Sequence, residues 1–470
     1  MNNNILKRQY GLFTSICIVV GFIVGTGIFW QPARVLSYAG GDVGIGVLAW
    51  VVGGLLILPC VYMFAVMAGR YEKVHGFVDY AEAIVGCRYG YAAGWFFCVM
   101  YQTAGYALIA YISATFTATV AGHENTTNSA FVFFIAAFYM VMTFGMNYLA
   151  PKIPMRLNIG TTIARLVPLF AIGTVGVVIG LATNESAALS SASQLLSTQS
   201  VAGQSVGVSA ETNFLGAIFA TVFAYNGWQA AAAFNSEVKN SKRNFPIALL
   251  LGFVVVMVIY VLYFIGVTTA GDAYALMGNA PLGTRAAFSN VFGAAAGNIL
   301  MVFIIISGLG ILNMCCMGMS RGMYAIARRG IGPLPHRMVV LDAQTNVPTT
   351  SMVACVALSF LWLMVLYGNN HAWFSIAGEP FNFRLQDFYN MLFFILLIPI
   401  FTGFFIKNRR DKTIHIFNRF IAPFFGIGGA GFLVYALAQV NYIHAAIYVL
   451  TFVVLMLVGF LFIGRKKNEG

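Results

Sequence analysis

The sequence predicts an all-α integral membrane protein with twelve transmembrane helices. The first and sixth are broken, and the first ten form two inverted five-helix repeats. Three observations predict it: the composition, the number of apolar runs, and two glycine-marked interruptions that fall five runs apart. Hydrophobic residues make up 60% of the 470 residues, aromatics 15% and charged residues 9%, against roughly 25% charged in a soluble protein. The net charge of +12 does not mark a nucleic-acid binder. Lys and Arg sit in short clusters between apolar runs rather than on one exposed domain.

A helical span needs about 20 apolar residues. Twelve runs qualify, at roughly 11–38, 43–68, 90–120, 129–149, 157–183, 212–236, 246–270, 290–325, 348–368, 386–406, 416–438 and 442–464. The first run has no small-residue cleavage site and reads as a span, not a signal peptide. All 26 lysines and arginines except Arg34, Arg165, Arg285 and Arg384 fall on one side of this arrangement. The basic side is cytoplasmic by the positive-inside rule, which puts both termini there. Residues 184–210 are Ser-rich without Lys or Arg and read as an extracellular linker. The organisation expected is one transporter domain over 1–470: a first repeat at 1–183, the linker, a second repeat at 211–410, and two appended helices at 411–470.

The first interruption lies in SICIVVGFIVGTGIFWQP, residues 15–32, at Gly21, Gly25, Thr26 and Gly27. The second lies in FATVFAYNGWQAAAAF, residues 219–234, at Asn226-Gly227. Unwound backbone at bilayer depth leaves N–H and C=O groups without water, each at a cost of several kcal/mol, so it survives only where it lines a cavity or meets a ligand. Amides at a half-helix N-terminus favour an anion, and carbonyls at a half-helix C-terminus favour a cation. Two such breaks would together hold a zwitterion with the carboxylate–ammonium pattern of an α-amino acid. The same glycines also suit close helix packing, and Gly21-xxx-Gly25 fits that pattern.

Several stretches resemble the amino acid–polyamine–organocation superfamily of permeases. They are VGFIVGTGIF (20–29), FAYNGWQ (223–229), SEVKNSKRNFPIAL (236–249), SRGMYAIARRGIGPLP (320–335) and, more loosely, GRYEKVHGFVDYAEAIVG (69–86). The first-span motif with AYNGW and EVKN is similar to the L-amino acid transporter branch, which includes bacterial serine/threonine exchangers. The resemblance implies a LeuT-like fold and secondary transport of small neutral L-amino acids across the plasma membrane. It implies substrate-carboxylate binding by the amides of Gly25, Thr26 and Gly27, and substrate-amine binding by the carbonyls of Ile23 and Phe223. The Phe223 ring would be an outer gate, and Asn226 and Gln229 would face the substrate side chain or carboxylate. Arg165, in TTIARLVPL (161–169), stands where many sodium-independent relatives carry Lys and would substitute for an ion. Three departures qualify this. Asn226 replaces a frequent Gly or Asp, Val66 replaces a frequent Glu, and His75 replaces one of a Gly pair. The animal exchangers of this branch use a protein partner held through the span 3–4 loop. That loop has no Cys here, so no obligatory partner is expected.

Arg165 lies within a span, where an ionisable residue is costly and faces the interior. Arg holds its proton too firmly for a proton carrier; the other reading is snorkelling or packing on carbonyls. No convincing intramembrane carboxylate or His relay is visible, with Glu211, Glu237 and Asp387 at span ends. This favours sodium-independent exchange over a proton-coupled symporter of an amino acid or amine. A non-transporting amino acid sensor is a more distant alternative. No paired carboxylates or Cys/His pair suggests an enzyme, and no cofactor or metal is expected. His444 and the Met-rich run NMCCMGM (313–319) read as packing, and the seven cysteines as free thiols. Asn125-Thr126-Thr127 matches a glycosylation sequon by pattern alone. Gln102, Thr103, Ser307 and Asn313 either line the cavity or bond between helices.

Overall fold

The computed structural model describes residues 10–71, 76–123, 129–150, 165–176, 178, 212–232, 235, 238–271, 273–342, 344–345, 347–376 and 379–463. The 184–210 linker, the Asn125 sequon, His75, Glu211, Glu237, the first part of the fifth run and both terminal basic clusters lie outside them. Among the described residues the fold is all-helical apart from a two-residue hairpin pairing Ser375–Ile376 with Glu379–Pro380. Among the described residues, nine helices are long and apolar enough to cross a membrane, from Val43–Arg70 to Tyr442–Phe460. Leu12–Ile23 and Gly27–Tyr38 add a bent pair, with 52° between the two axes. Large apolar side chains point outward along these helices, with Phe134 70% and Phe424 72% exposed, as a lipid-facing surface requires.

Local chemistry sets the helix ends. Asp42 accepts the Ile45 N–H at 2.9 Å and starts Val43–Arg70. Asn213 accepts the Gly216 N–H at 2.8 Å and starts Phe214–Tyr225. Asn441 does the same for Tyr442–Phe460 through the His444 N–H, at 3.1 Å. These caps satisfy N–H groups that helix starts leave open.

Two features have no counterpart in the sequence reading. After Val43–Arg70, Phe77–Ile84 forms a short helix between Gly76 and Gly86, both at positive φ (50° and 128°). Phe77, Tyr80 and Ile84 bury its apolar face. Eight residues are too few to give a clear periodic signal in the sequence. Second, Cys87–Val120 contains a π-helical turn at Phe97–Gln102. Such a turn adds a residue and rotates the helix beyond it, a feature frequent at functional sites. Here it brings Tyr101, Gln102, Gly105 and Ile109 to one cavity.

The two breaks are held by a buried aromatic core. Trp50 meets Tyr225 and Tyr260 edge-on, at ring centroids 5.4 and 5.7 Å apart. The Tyr225 hydroxyl donates to the Trp50 carbonyl at 3.0 Å. Elsewhere small residues admit close approach: Arg165–Gly176 packs on Ser241–Ala270 where Gly176 faces Gly266. A Cβ on Gly266 would collide with the Ile172 carbonyl.

Gly266→Val is therefore expected to lower the thermal unfolding midpoint in detergent by roughly 2 °C or more. Gly428→Val, with open space around its Cβ position, should leave it unchanged. Equal midpoints for the two variants would contradict this packing.

Candidate binding site at the two helix breaks

The first break is Val24-Gly25-Thr26. Leu12–Ile23 ends at Val24, whose ψ of 104° turns the chain out of the helix, and Gly27–Tyr38 begins after Thr26. The second is Asn226-Gly227, between Phe214–Tyr225 and Trp228–Ala231. Gly227 has φ +117°, and a Cβ there would strike the Phe22 carbonyl oxygen. Glycine is thus required for the two breaks to touch.

The carbonyl end of the first half-helix is satisfied from within. Arg165 is 2% exposed and donates to the Gly21 carbonyl at 3.1 Å and the Val24 carbonyl at 3.3 Å. The Tyr260 hydroxyl donates to the Ile23 carbonyl at 3.1 Å. Arg165 therefore contacts the carbonyls of the first break from outside the cavity lining. The amide end differs. Gly25, Thr26 and Gly27 stand at the start of the second half-helix, where N–H groups have no intrahelical acceptor. The buried Thr26 Oγ1 also has no hydrogen-bond partner among the described residues.

Both breaks face one cavity of about 250 Å³. Ile23, Gly25, Thr26, Gly27, Phe223, Asn226 and Gln229 all line it. The Phe223 ring covers Gly27, lying 3.0 Å from where a Cβ would sit. Asn226 donates through Nδ2 to Asn390 Oδ1, while its own Oδ1 has no partner among the described residues. Gln229 accepts from the Gly227 N–H at 3.1 Å and donates to the Tyr101 hydroxyl. Tyr101 in turn stacks on Phe97 and meets Tyr389 edge-on.

Sequence reasoning missed Tyr101, Tyr389 and Asn390. The 313–319 run is also more than packing, since Met314, Cys315 and Met317 line the cavity. The spacing of Met314, Gly318, Arg321 and Ala325 on one helix face was the available signal. Of the four polar candidates, Gln102 lines the cavity. Asn313 instead bonds Asn147 on another helix at 2.9 Å, and Thr103 bonds the Val99 carbonyl of its own helix. Ser307 is buried away from the lining.

The cavity runs from the breaks toward Arg321, Ala325 and the Phe77–Ile84 helix, at the basic end of the molecule. There Arg329 bonds Asp79 at 2.9 Å and Glu82 at 2.7 Å. At the opposite end Arg34 grips Asp387 through two hydrogen bonds of 2.8 and 2.5 Å, and Asp387 is only 3% exposed. Gln31 donates to Gln386 at 3.0 Å beside it. These contacts tie the second half-helix to Leu385–Asn408 above the cavity.

A broken-helix membrane protein with a central cavity at the breaks has the form of a solute transporter. The amino acid permease family profile matches residues 10–463, and the chain belongs to that family. It is therefore a multi-pass membrane permease and not an enzyme. It is 26% identical over 399 residues to the serine/threonine exchanger SteT of Bacillus subtilis (strain 168), covering 84% of each chain. It is 25% identical over 403 residues to the b(0,+)-type amino acid transporter 1 of Oryctolagus cuniculus, covering 84% of this chain and 77% of the relative. It is 23% identical over 365 residues to the human cystine/glutamate transporter, covering 76% and 68%.

Two substitutions probe the site. Gly27→Leu should abolish amino acid binding and uptake while the protein still reaches the membrane, since the side chain would meet the Phe223 ring; wild-type uptake would remove Gly27 from the site. Thr26→Val keeps the shape and removes the unpartnered hydroxyl. A substrate hydrogen bond there predicts roughly tenfold weaker binding. Unchanged affinity would mean that the hydroxyl plays no part.

Proposed function

We propose that this permease moves small neutral L-amino acids by sodium-independent exchange. The observation that carries the reading is the pair of breaks opening on one cavity, with the start of the second half-helix and a Thr26 hydroxyl that is unpartnered among the described residues on the amide side. In this account the amides of Gly25, Thr26 and Gly27 take the substrate carboxylate. The carbonyls of Ile23 and Phe223 take its ammonium, which would share the Ile23 carbonyl with Tyr260. Phe223 acts as the outer gate, and Asn226 and Gln229 face the side chain. Neutral substrates fit because Arg321, at the mouth, is the single charged side chain among the described lining residues.

The fold proposed is the twelve-span, five-plus-five inverted repeat. Phe214–Tyr225 with Trp228–Ala231 would belong to the sixth span and Arg165–Gly176 to the fifth. Arg165 then supplies a fixed positive charge at the carbonyls where a bound cation would otherwise sit. That role favours sodium independence. The names of the relatives, two of them exchange or paired-substrate transporters, favour exchange over proton symport. We further assign the basic end to the cytoplasm of the plasma membrane, from the distribution of Lys and Arg. Operation without an obligatory protein partner is supported by the absence of Cys from residues 121–129.

Purified protein in liposomes tests this. With unlabelled neutral amino acids inside, labelled serine, threonine, alanine or leucine should enter without an ion gradient, indifferent to sodium and pH. Arg165→Ala should cut that uptake at least tenfold at normal expression, because two carbonyls lose their partner. Uptake into empty liposomes only under an inward proton gradient would overturn exchange in favour of symport. Unaltered kinetics in Arg165→Ala would remove the role given to that residue.

A further inference from the structure

A crevice of about 360 Å³ opens on the outside of the molecule, away from the central cavity. It lies between the end of Leu385–Asn408 and the start of Phe417–Val440. Its walls are entirely apolar: Phe405, Phe420, Ile421, Phe424, Phe425 and Ile427, with a proline. Phe424 and Phe425 are 72% and 57% exposed, so nothing among the described residues fills it. The Phe417–Ile421 turn is π-helical, and Phe420 meets Phe405 edge-on at 5.8 Å.

The loop that closes the crevice at the basic end is strongly cationic. It carries Arg409, Arg410 and Lys412, all exposed, and none has an ion-pair partner among the described residues. Arg419 joins loop to crevice. It donates to the Asp411 carbonyl at 3.3 Å, and its guanidinium sits 4.7 Å from the centre of the Phe420 ring, a crevice wall. The one acid in the loop does not offset this charge locally. Asp411 is bound to Arg70 at 2.6 Å and to the Thr413 hydroxyl at 2.6 Å. These partners, Thr413 first, hold its carboxyl down at about 2. Lys407 is turned away, onto the Ala83 carbonyl at 2.7 Å.

We propose that this crevice is a binding site for an anionic phospholipid. Its phosphate would lie on Arg409, Arg410, Lys412 and Arg419, and an acyl chain would lie between Phe405 and Phe424. A cationic rim over an apolar slot between two membrane helices is the arrangement that selects a charged head group together with its tail. A second copy of the chain fits less well. A two-fold contact through this surface would bring two unpaired cationic loops together.

The test uses the full chain in detergent, titrated with dioleoylphosphatidylglycerol or dioleoylphosphatidylcholine. Bound lipid is counted by native mass spectrometry, and the thermal midpoint is recorded. The wild type should retain one phosphatidylglycerol at concentrations at least tenfold below those for phosphatidylcholine. R409Q/R410Q/K412Q/R419Q should lose that preference by roughly fivefold per charge until it is gone. K239Q/K242Q/R243Q, a cluster on the same end, should keep it. I427W, which fills the slot without touching charge, should weaken retention of phosphatidylglycerol, and it serves if the quadruple variant does not fold. Equal losses in the two charge variants would show diffuse attraction and overturn the site, as would undiminished retention in I427W. A dimer that I427W splits with lipid preference intact would make the crevice a contact between copies and also overturn the proposal.

Discussion

An open backbone group inside a membrane has to find a partner, and the two helix breaks concentrate that demand at one point. Each unsatisfied N–H or C=O costs several kcal/mol there. The chain answers the two polarities differently. On the carbonyl side it uses its own donors, Arg165 on Gly21 and Val24, and Tyr260 on Ile23. On the amide side it leaves the start of Gly27–Tyr38 facing the cavity, with the Thr26 hydroxyl unpartnered among the described residues. A half-helix N-terminus carries partial positive charge. An amino acid carboxylate is the proposed complement.

The rest of the architecture holds this point rigid and limits access to it. Trp50, Tyr225 and Tyr260 lock both breaks to the Val43–Arg70 and Ser241–Ala270 helices. Gly227 lets the second break lie against the Phe22 carbonyl. At one end Arg34 and Asp387 fasten the half-helix to Leu385–Asn408. At the other, Arg329 fastens Phe77–Ile84 to the end of Ala294–Arg328, beside the open path. Exchange, as proposed, would require access from both sides in turn, with the first of these ties opening and the second region closing. Both ion pairs are partly exposed on the Arg side, which keeps such a rearrangement within reach of a binding event.

The sequence is legible where its information is local. Gly25-Thr26-Gly27 and Asn226-Gly227 stand out because glycine and asparagine interrupt apolar runs that otherwise have no reason to stop. The helix limits fall within a few residues of expectation where an Asp or Asn caps the start, as at Asp42 and Asn441. The pairings that finish the site are not legible. Tyr101 meets Gln229 across 128 positions and Asn226 meets Asn390 across 164, and neither residue type announces its partner. The π-helical turn that aims Tyr101 and Gln102 leaves no mark in composition, and Phe77–Ile84 is too short to show a period. Arg165 is legible as an anomaly, a charge in an apolar run, but only the fold shows which carbonyls it meets.

The most direct test of the account is a displacement measurement on purified protein. Whichever labelled neutral amino acid binds best would be competed with its own decarboxylated amine and with its deaminated acid. If the break amides hold a carboxylate while break carbonyls hold an ammonium, neither analogue should displace the label at concentrations about a hundredfold above that of the parent amino acid, since each lacks one charge-assisted set of hydrogen bonds. Displacement by the amine as effective as by the amino acid itself would mean that the amides of Gly25, Thr26 and Gly27 do not bind the carboxylate, and the central claim would fail.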